Sequence, residues 1–167
     1  MPKQLVLMRH AKSDWSIPGQ RDFDRELNFR GHRDGPTMGA RLKAEKQFVP
    51  ELVVSSPALR AKLTAQYVCE QIGYPEERIV FEEDIYEASV RTLLRVVNSI
   101  EDIYSNVIIF GHNPGFSYFS EYLTKEAIGD LPTAAIICIQ FEFDAWAMVS
   151  EAAGKVRWYI YPKDKES

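Results

Sequence analysis

The chain has 167 residues, 46% of them hydrophobic and 26% charged, with a formal net charge of -4. This is enough for one compact core and excludes wholesale disorder, while the mild negative charge excludes a global basic field for nucleic acid or an anionic membrane, so any anion has to be held by a local cluster. No basic segment followed by a long apolar stretch opens the sequence, and its longest uncharged apolar run, residues 134–139, is far too short to span a bilayer, so a cytoplasmic protein is expected.

Leu5-Val6-Leu7-Met8 is a continuous apolar run, the pattern of a strand covered on both faces, and it stops abruptly at Arg9-His10. Ligands of parallel sheets gather at the carboxyl ends of strands. A neutral imidazole is nucleophilic and a guanidinium offers planar donors that fit phosphate oxygens, so the pair suits phosphoryl chemistry. Taken alone, it reads more readily as a strand-end arginine beside a hydrogen-bonded histidine. Residues 14–26 are rich in charge and turn formers, bend at Pro18-Gly19, and are expected to lie as a loop over that strand end. Asn28 can cap a helix running toward Lys46, which Gly35-Pro36 either kinks or divides in two.

Leu52-Val53-Val54 reads as a second strand, ending at Ser55-Ser56-Pro57 before a helix with Ala61, Ala65, Val68 and Ile72 at its apolar positions. Ser56 is placed to cap that helix ahead of Pro57. Gly73-Tyr74-Pro75 ends it, residues 78–81 form a plausible third strand, and an acidic run, Glu82-Glu83-Asp84, follows. Ser89 can cap a helix whose apolar face is Leu93, Val97, Ile100 and Tyr104. The next strand, residues 107–110, ends at Gly111-His112-Asn113-Pro114-Gly115, before a helix with Phe116, Phe119 and Leu123 on one face. Residues 134–143 and 156–161 read as two further strands around Trp146, too close for a crossover helix and therefore an antiparallel pair at one edge. Cys69 and Cys138 lie far apart in apolar patterns and are expected as buried free thiols.

This order predicts an α/β three-layer sandwich, with a mostly parallel central sheet and an antiparallel edge strand, in a single domain over residues 1–162 with a short C-terminal tail, 163–167. The strand ends carrying Arg9-His10, Ser55-Ser56-Pro57 with Arg60 one turn on, and Gly111-His112-Asn113 converge on one edge of such a sheet. Two arginines and two histidines can then surround a single dianion.

With these residues in place, the sequence resembles the histidine phosphatase superfamily, with its phosphoglycerate mutase-like fold, and within it the SixA-like phosphohistidine phosphatases. The matching stretches are residues 5–13 (LVLMRHAKS), 24–31 (DRELNFRG), 55–65 (SSPALRAKLTA) and 111–115 (GHNPG). The Arg-His-Gly motif of the wider superfamily reads Arg9-His10-Ala11 here, as is usual in the SixA-like branch. Ser16 stands where the mutase-like pattern has asparagine, which weighs against mutase activity.

The resemblance implies that His10 takes the phosphoryl group while Arg9, Arg60 and His112 bind its oxygens, with His112 kept protonated by that anion. It also implies a phosphatase that needs no metal and no cofactor, acting on a phosphorylated protein, with protein phosphohistidine as the expected substrate, or on a small phosphate ester. A phospho-binding adaptor without turnover is the alternative from another class. Ile85-Tyr86-Glu87 falls where the mutase-like branch has its general acid. Glu87 is therefore the candidate acid, although it reads equally as a solvated carboxylate, because the role would need burial to raise its pKa. His32, beside Arg30 and Arg33, matches no phosphate-contact position and is expected on the surface.

Overall fold

The computed structural model describes residues 2–165. Strands β1 (Lys3–Arg9), β2 (Leu52–Ser55), β3 (Val80–Phe81), β4 (Asn106–Gly111), β5 (Ile136–Phe141) and β6 (Lys155–Ile160) form one sheet in the order β3-β2-β4-β1-β5-β6. The pairs β1·β4, β4·β2 and β2·β3 are parallel, whereas β5 runs against β1 and β6 against β5. The reversed strand is thus β5, and β6 at the edge returns to the direction of β1.

The helices are α1 (Phe29–Lys46), α2 (Leu59–Ile72), α3 (Val90–Asn98) and α4 (Gly115–Thr124). Alternation along the strands divides the core into two layers. Val6, Met8, Ile108 and Phe110 pack against Met38 and Leu42 of α1 and Ala65 and Val68 of α2. Leu5, Leu7, Val107 and Ile109 meet Leu93 and Val97 of α3 and Phe116 and Phe119 of α4. Buried on both faces, these strands read as unbroken apolar runs.

The neighbouring strands β1 and β4 are followed by helices on opposite faces, α1 on one and α4 on the other. Their connections diverge and leave a crevice beyond their carboxyl ends, where open α/β sheets bind ligands. Arg9-His10 and Gly111-His112 lie at its lips.

Several local expectations change in three dimensions. Helix α1 runs unbroken through Pro36 and does not restart there, with the Asn28 side chain accepting the Gly31 N–H at 3.0 Å as its cap. A proline inside a helix costs about 3 kcal/mol, but burial of Met38 and Leu42 beyond it returns roughly 1.5–3 kcal/mol each, which carries the helix through. Ser56 does not cap α2 ahead of Pro57: the helix starts two residues later, at Leu59, and Ser56 Oγ accepts from Ala58 N–H at 3.2 Å.

The third strand shortens to Val80–Phe81, because Glu76–Arg78 closes a 3-10 turn before it. Ser89 caps α3 by accepting from Thr92 N–H at 3.2 Å, but the helix ends at Asn98, so Ile100 and Tyr104 reach the core from the following turn. Of the expected tail, Pro162–Lys165 forms a 3-10 turn in which Asp164 accepts from Tyr161 N–H at 3.0 Å and pairs with Arg41 at 2.8 Å. Residues 166 and 167 lie outside the described residues. Cys69 and Cys138 are buried free thiols. No helix among the described residues is long and apolar enough to cross a membrane.

Candidate active site

His10 is fixed by its backbone before its side chain. Its N–H donates to Gly111 O at 3.0 Å and its carbonyl accepts from Ala134 N–H at 3.0 Å, so the β1 tip is bonded on both sides. The residue is 6% exposed. Nδ1 lies 2.7 Å from Ala11 O, which can only accept, and Arg60 Nε lies 3.3 Å from Nε2 and can only donate. The proton is therefore on Nδ1 and the lone pair on Nε2, facing the arginine. Burial above all, then the charge a neighbouring His112 would carry, with Arg60 and Arg9 in the same sense against the Ala11 bond, pushes the His10 pKa down to about 3. The imidazole is neutral and nucleophilic across the physiological range.

Arg60 enters from the first turn of α2. One turn later, Thr64 Oγ1 donates to Arg60 O at 2.8 Å and accepts from Ala11 N–H at 3.0 Å, joining the arginine's turn to the segment after His10. Arg9 Nη1 donates to Leu131 O at 2.7 Å. The same carbonyl accepts from Asn113 Nδ2 at 3.0 Å, so the loop after β4 and the approach to β5 share one anchor.

His112 follows Gly111, where a Cβ would come within 2.4 Å of the Phe116 ring; only glycine lets α4 pack this close to the strand end. The His112 and His10 ring centroids are 5.2 Å apart. Its Nε2 lies 2.8 Å from Ser56 Oγ, and its buried Nδ1 has no hydrogen-bond partner. Burial first, then Arg60 and Arg9 against an opposing Asp22, lowers the His112 pKa to about 3. The expectation of a protonated His112 concerns the ring facing a phosphate; without that anion, burial among arginines makes the ring neutral. Arg9 Nε is likewise buried without a partner. Two polar nitrogens of the site, on Arg9 and His112, are thus buried and unpaired, where buried polar atoms are almost always bonded.

Beside His112 opens a cavity of about 460 Å³, lined in part by Asp22, Arg60, Tyr86, Glu87 and His112. Glu87 is exposed on its rim, with φ 54, and lacks the burial that the acid role requires. His32 lies at the surface as expected, its side chain 37% exposed, and it bridges Tyr67 Oη at 2.6 Å and Glu26 Oε1 at 2.8 Å. Its partners belong to no part of the phosphate cluster. Among the described residues, no group of three or more His, Cys, Asp or Glu is placed to hold a metal ion.

Sequence reasoning missed Asp22, Tyr86 and Thr64. Asp22 comes from the 3-10 turn Asp22–Asp24 inside the loop and accepts from Arg60 Nη2 at 2.9 Å and from Tyr86 Oη at 2.6 Å. Burial opposes its charge, but these two bonds prevail and hold its carboxyl below the ordinary range. Burial and the bonded Asp22 push Tyr86 up to about 12, so its phenol stays protonated as a donor. A sequence signal existed for Thr64 alone, four residues after Arg60 and hence on the same helix face.

Residues 5–94 match the model of the histidine phosphatase superfamily (branch 1). An uncharacterized Mycobacterium tuberculosis protein is 30% identical over 145 residues, 87% of each chain. A 2,3-bisphosphoglycerate-dependent phosphoglycerate mutase from Mesorhizobium japonicum is 29% identical over 91 residues, covering 52% of this chain and 43% of the mutase. Among solved structures, SixA from Agrobacterium tumefaciens, named as a phosphohistidine phosphatase, superposes with a TM-score of 0.81 at 26% identity, covering 97% of this chain and 99% of its own. A protein histidine phosphatase SixA complexed with tungstate gives a TM-score of 0.82 at 21% identity, with 96% and 98% covered. The chain is therefore an enzyme of the histidine phosphatase superfamily, built on the phosphoglycerate mutase-like fold.

Proposed function

We propose that this enzyme removes phosphate from protein phosphohistidine through a covalent phosphohistidine at His10. The observation that carries the reading is the pair of buried, unpaired nitrogens, Arg9 Nε and His112 Nδ1, in the same cluster as a neutral His10 whose lone pair is on Nε2. A phosphoryl oxygen at each nitrogen removes two unsatisfied polar groups and sets phosphorus in front of the nucleophile.

His10 Nε2 forms the new P–N bond as the bond from phosphorus to the substrate's nitrogen breaks. The departing imidazole, its other ring nitrogen already protonated, keeps the electron pair and leaves as the neutral ring. Charge spreads over three equatorial oxygens in that transition state, where Arg9 and Arg60 supply fixed donors. His112, its Nε2 held at Ser56 Oγ, donates an Nδ1 proton to the same group. Water then attacks the phosphoryl group on His10, orthophosphate leaves, and Nε2 recovers its lone pair.

The exposed Glu87 supports phosphohistidine over alkyl esters as substrate. An alkoxide leaving group needs a well-placed acid, whereas imidazole protonates near pH 6.5 and departs without one. The test is rapid quench with a labelled phosphohistidine protein, beside a phosphoserine peptide and a sugar phosphate. The expected result is an acid-labile, alkali-stable adduct on His10 and a far higher kcat/KM for phosphohistidine. An adduct elsewhere, or none, overturns the mechanism; equal turnover of alkyl esters overturns the substrate.

A further inference from the structure

We propose that Asp22 is an internal anion that competes with the phosphoryl group for Arg60, and that Arg25 receives its carboxylate when phosphate takes Arg60. The proposal rests on the reading of the site given above. Every nitrogen of the Arg60 guanidinium has a partner within the protein: Nε to His10 Nε2 at 3.3 Å, Nη1 to Asp22 O at 2.7 Å and Nη2 to Asp22 Oδ2 at 2.9 Å, which uses three of its five N–H donors. A phosphoryl group at His10 Nε2 reaches the same guanidinium. Two anions on one fork repel each other, so the carboxylate has to give way.

Arg25 is built to accept it. Its Nε lies 3.8 Å from Asp22 Oδ1, beyond hydrogen-bond range, and its side chain is 11% exposed. Both Nε and Nη1 are buried without a hydrogen-bond partner, while Nη2 donates to Gln20 O at 3.3 Å. The guanidinium is stacked 3.8 Å from the Trp15 ring centroid, which fixes its plane. A shift of about 1 Å brings the carboxylate to bonding distance of Nε. Asp22 and Arg25 are thus positioning residues. The first sets how much of Arg60 is available to phosphate, and the second sets how readily the first withdraws. Tyr86, bonded to Asp22 Oδ2 and lining the cavity beside His112, is released in the same movement.

The experiment measures orthophosphate binding by calorimetry in wild type, Asp22→Asn, Arg25→Gln and the double variant, with Arg Nε–H resonances followed by NMR in the wild type and Asp22→Asn. Asp22→Asn is expected to tighten orthophosphate by about tenfold, and Arg25→Gln to weaken it by roughly threefold in the wild-type background but not in Asp22→Asn. The Arg25 Nε–H resonance is expected to shift on orthophosphate addition in the wild type and stay fixed in Asp22→Asn. Equal weakening by Arg25→Gln in both backgrounds reduces Arg25 to a distant charge and overturns the proposal. So does weaker binding in Asp22→Asn, which makes Asp22 a brace for Arg60, and so does an unmoved Arg25 resonance in saturated wild type. Absence of orthophosphate binding in all four proteins, together with no adduct on His10, overturns the underlying phosphatase reading instead.

Discussion

Strand β1 begins and ends on a cation, and the two are treated in opposite ways. At its start Lys3 is 1% exposed, its ammonium donates to Asp102 O at 2.6 Å and Tyr104 O at 3.0 Å, and it lies 5.6 Å from the Trp146 ring centroid. Trp146 closes the same knot through Nε1 to Tyr104 O at 2.7 Å and its backbone N–H to Asp102 at 2.8 Å. At the other end Arg9 donates once, to Leu131 O, and leaves a buried Nε unpaired beside His10. A bonded buried cation contributes to the fold, whereas one left short of partners costs stability that a bound anion can restore.

The largest effect that can break this comparison is on catalysis. His10→Ala is expected to lower turnover by about a thousandfold or more, since it removes the bond-making nitrogen, with the fold retained by circular dichroism. More than a trace of activity in a folded preparation would remove His10 from the reaction. Next come the cations themselves. Lys3→Met removes the donor to Asp102 O and one of the two donors to Tyr104 O and is expected to cost about 2 kcal/mol in urea unfolding, with kcat/KM within about twofold of wild type. Arg9→Lys and Arg60→Lys are expected to do the reverse, each losing roughly 2 kcal/mol or more of transition-state stabilisation with little change in unfolding midpoint. If Lys3→Met and Arg9→Lys affected rate and stability alike, the two ends of β1 would not differ in kind.

A smaller effect sharpens the electrostatic side. The pKa values of His10 and His112 are lowered to about 3 in the folded protein, so below the ordinary 6.5 the unfolded chain takes up protons that the folded one refuses. Their neutral forms cost the fold nothing above 6.5, and stability is lost as pH falls from there toward 3, at up to about 1.4 kcal/mol per pH unit for each ring. Urea unfolding between pH 6.5 and 5.5, above the main carboxylate range, is expected to show this slope, and His112→Asn to remove about half of it. A flat profile in that window would mean that the rings accept protons in the folded state. The smallest effect is at the rim: Glu87→Gln is expected to change kcat/KM on phosphohistidine by less than about threefold. A collapse of alkyl-ester turnover in that variant would make Glu87 the acid.

Sequence alone determined whatever depends on local pattern. Unbroken apolar runs at residues 5–8 and 107–110 report burial on both faces, because a strand covered by helices has no solvent side to encode. Asn28 and Ser89 marked helix starts because their oxygens satisfy amides three residues away. Four strand-end and loop motifs in one order carried the family, since the residues that meet a ligand in a parallel sheet lie directly after the strands. Tertiary structure decided the rest. Pro36 stays within α1 because burial beyond it outweighs the local penalty. His112 is neutral because burial and two arginines act on it from other elements, and Glu87 is exposed because its turn leaves it on the rim. Asp22 reaches Arg60 across 38 residues and Tyr86 reaches Asp22 across 64. No local pattern encodes such contacts, because they form only when the loop folds back over the sheet edge.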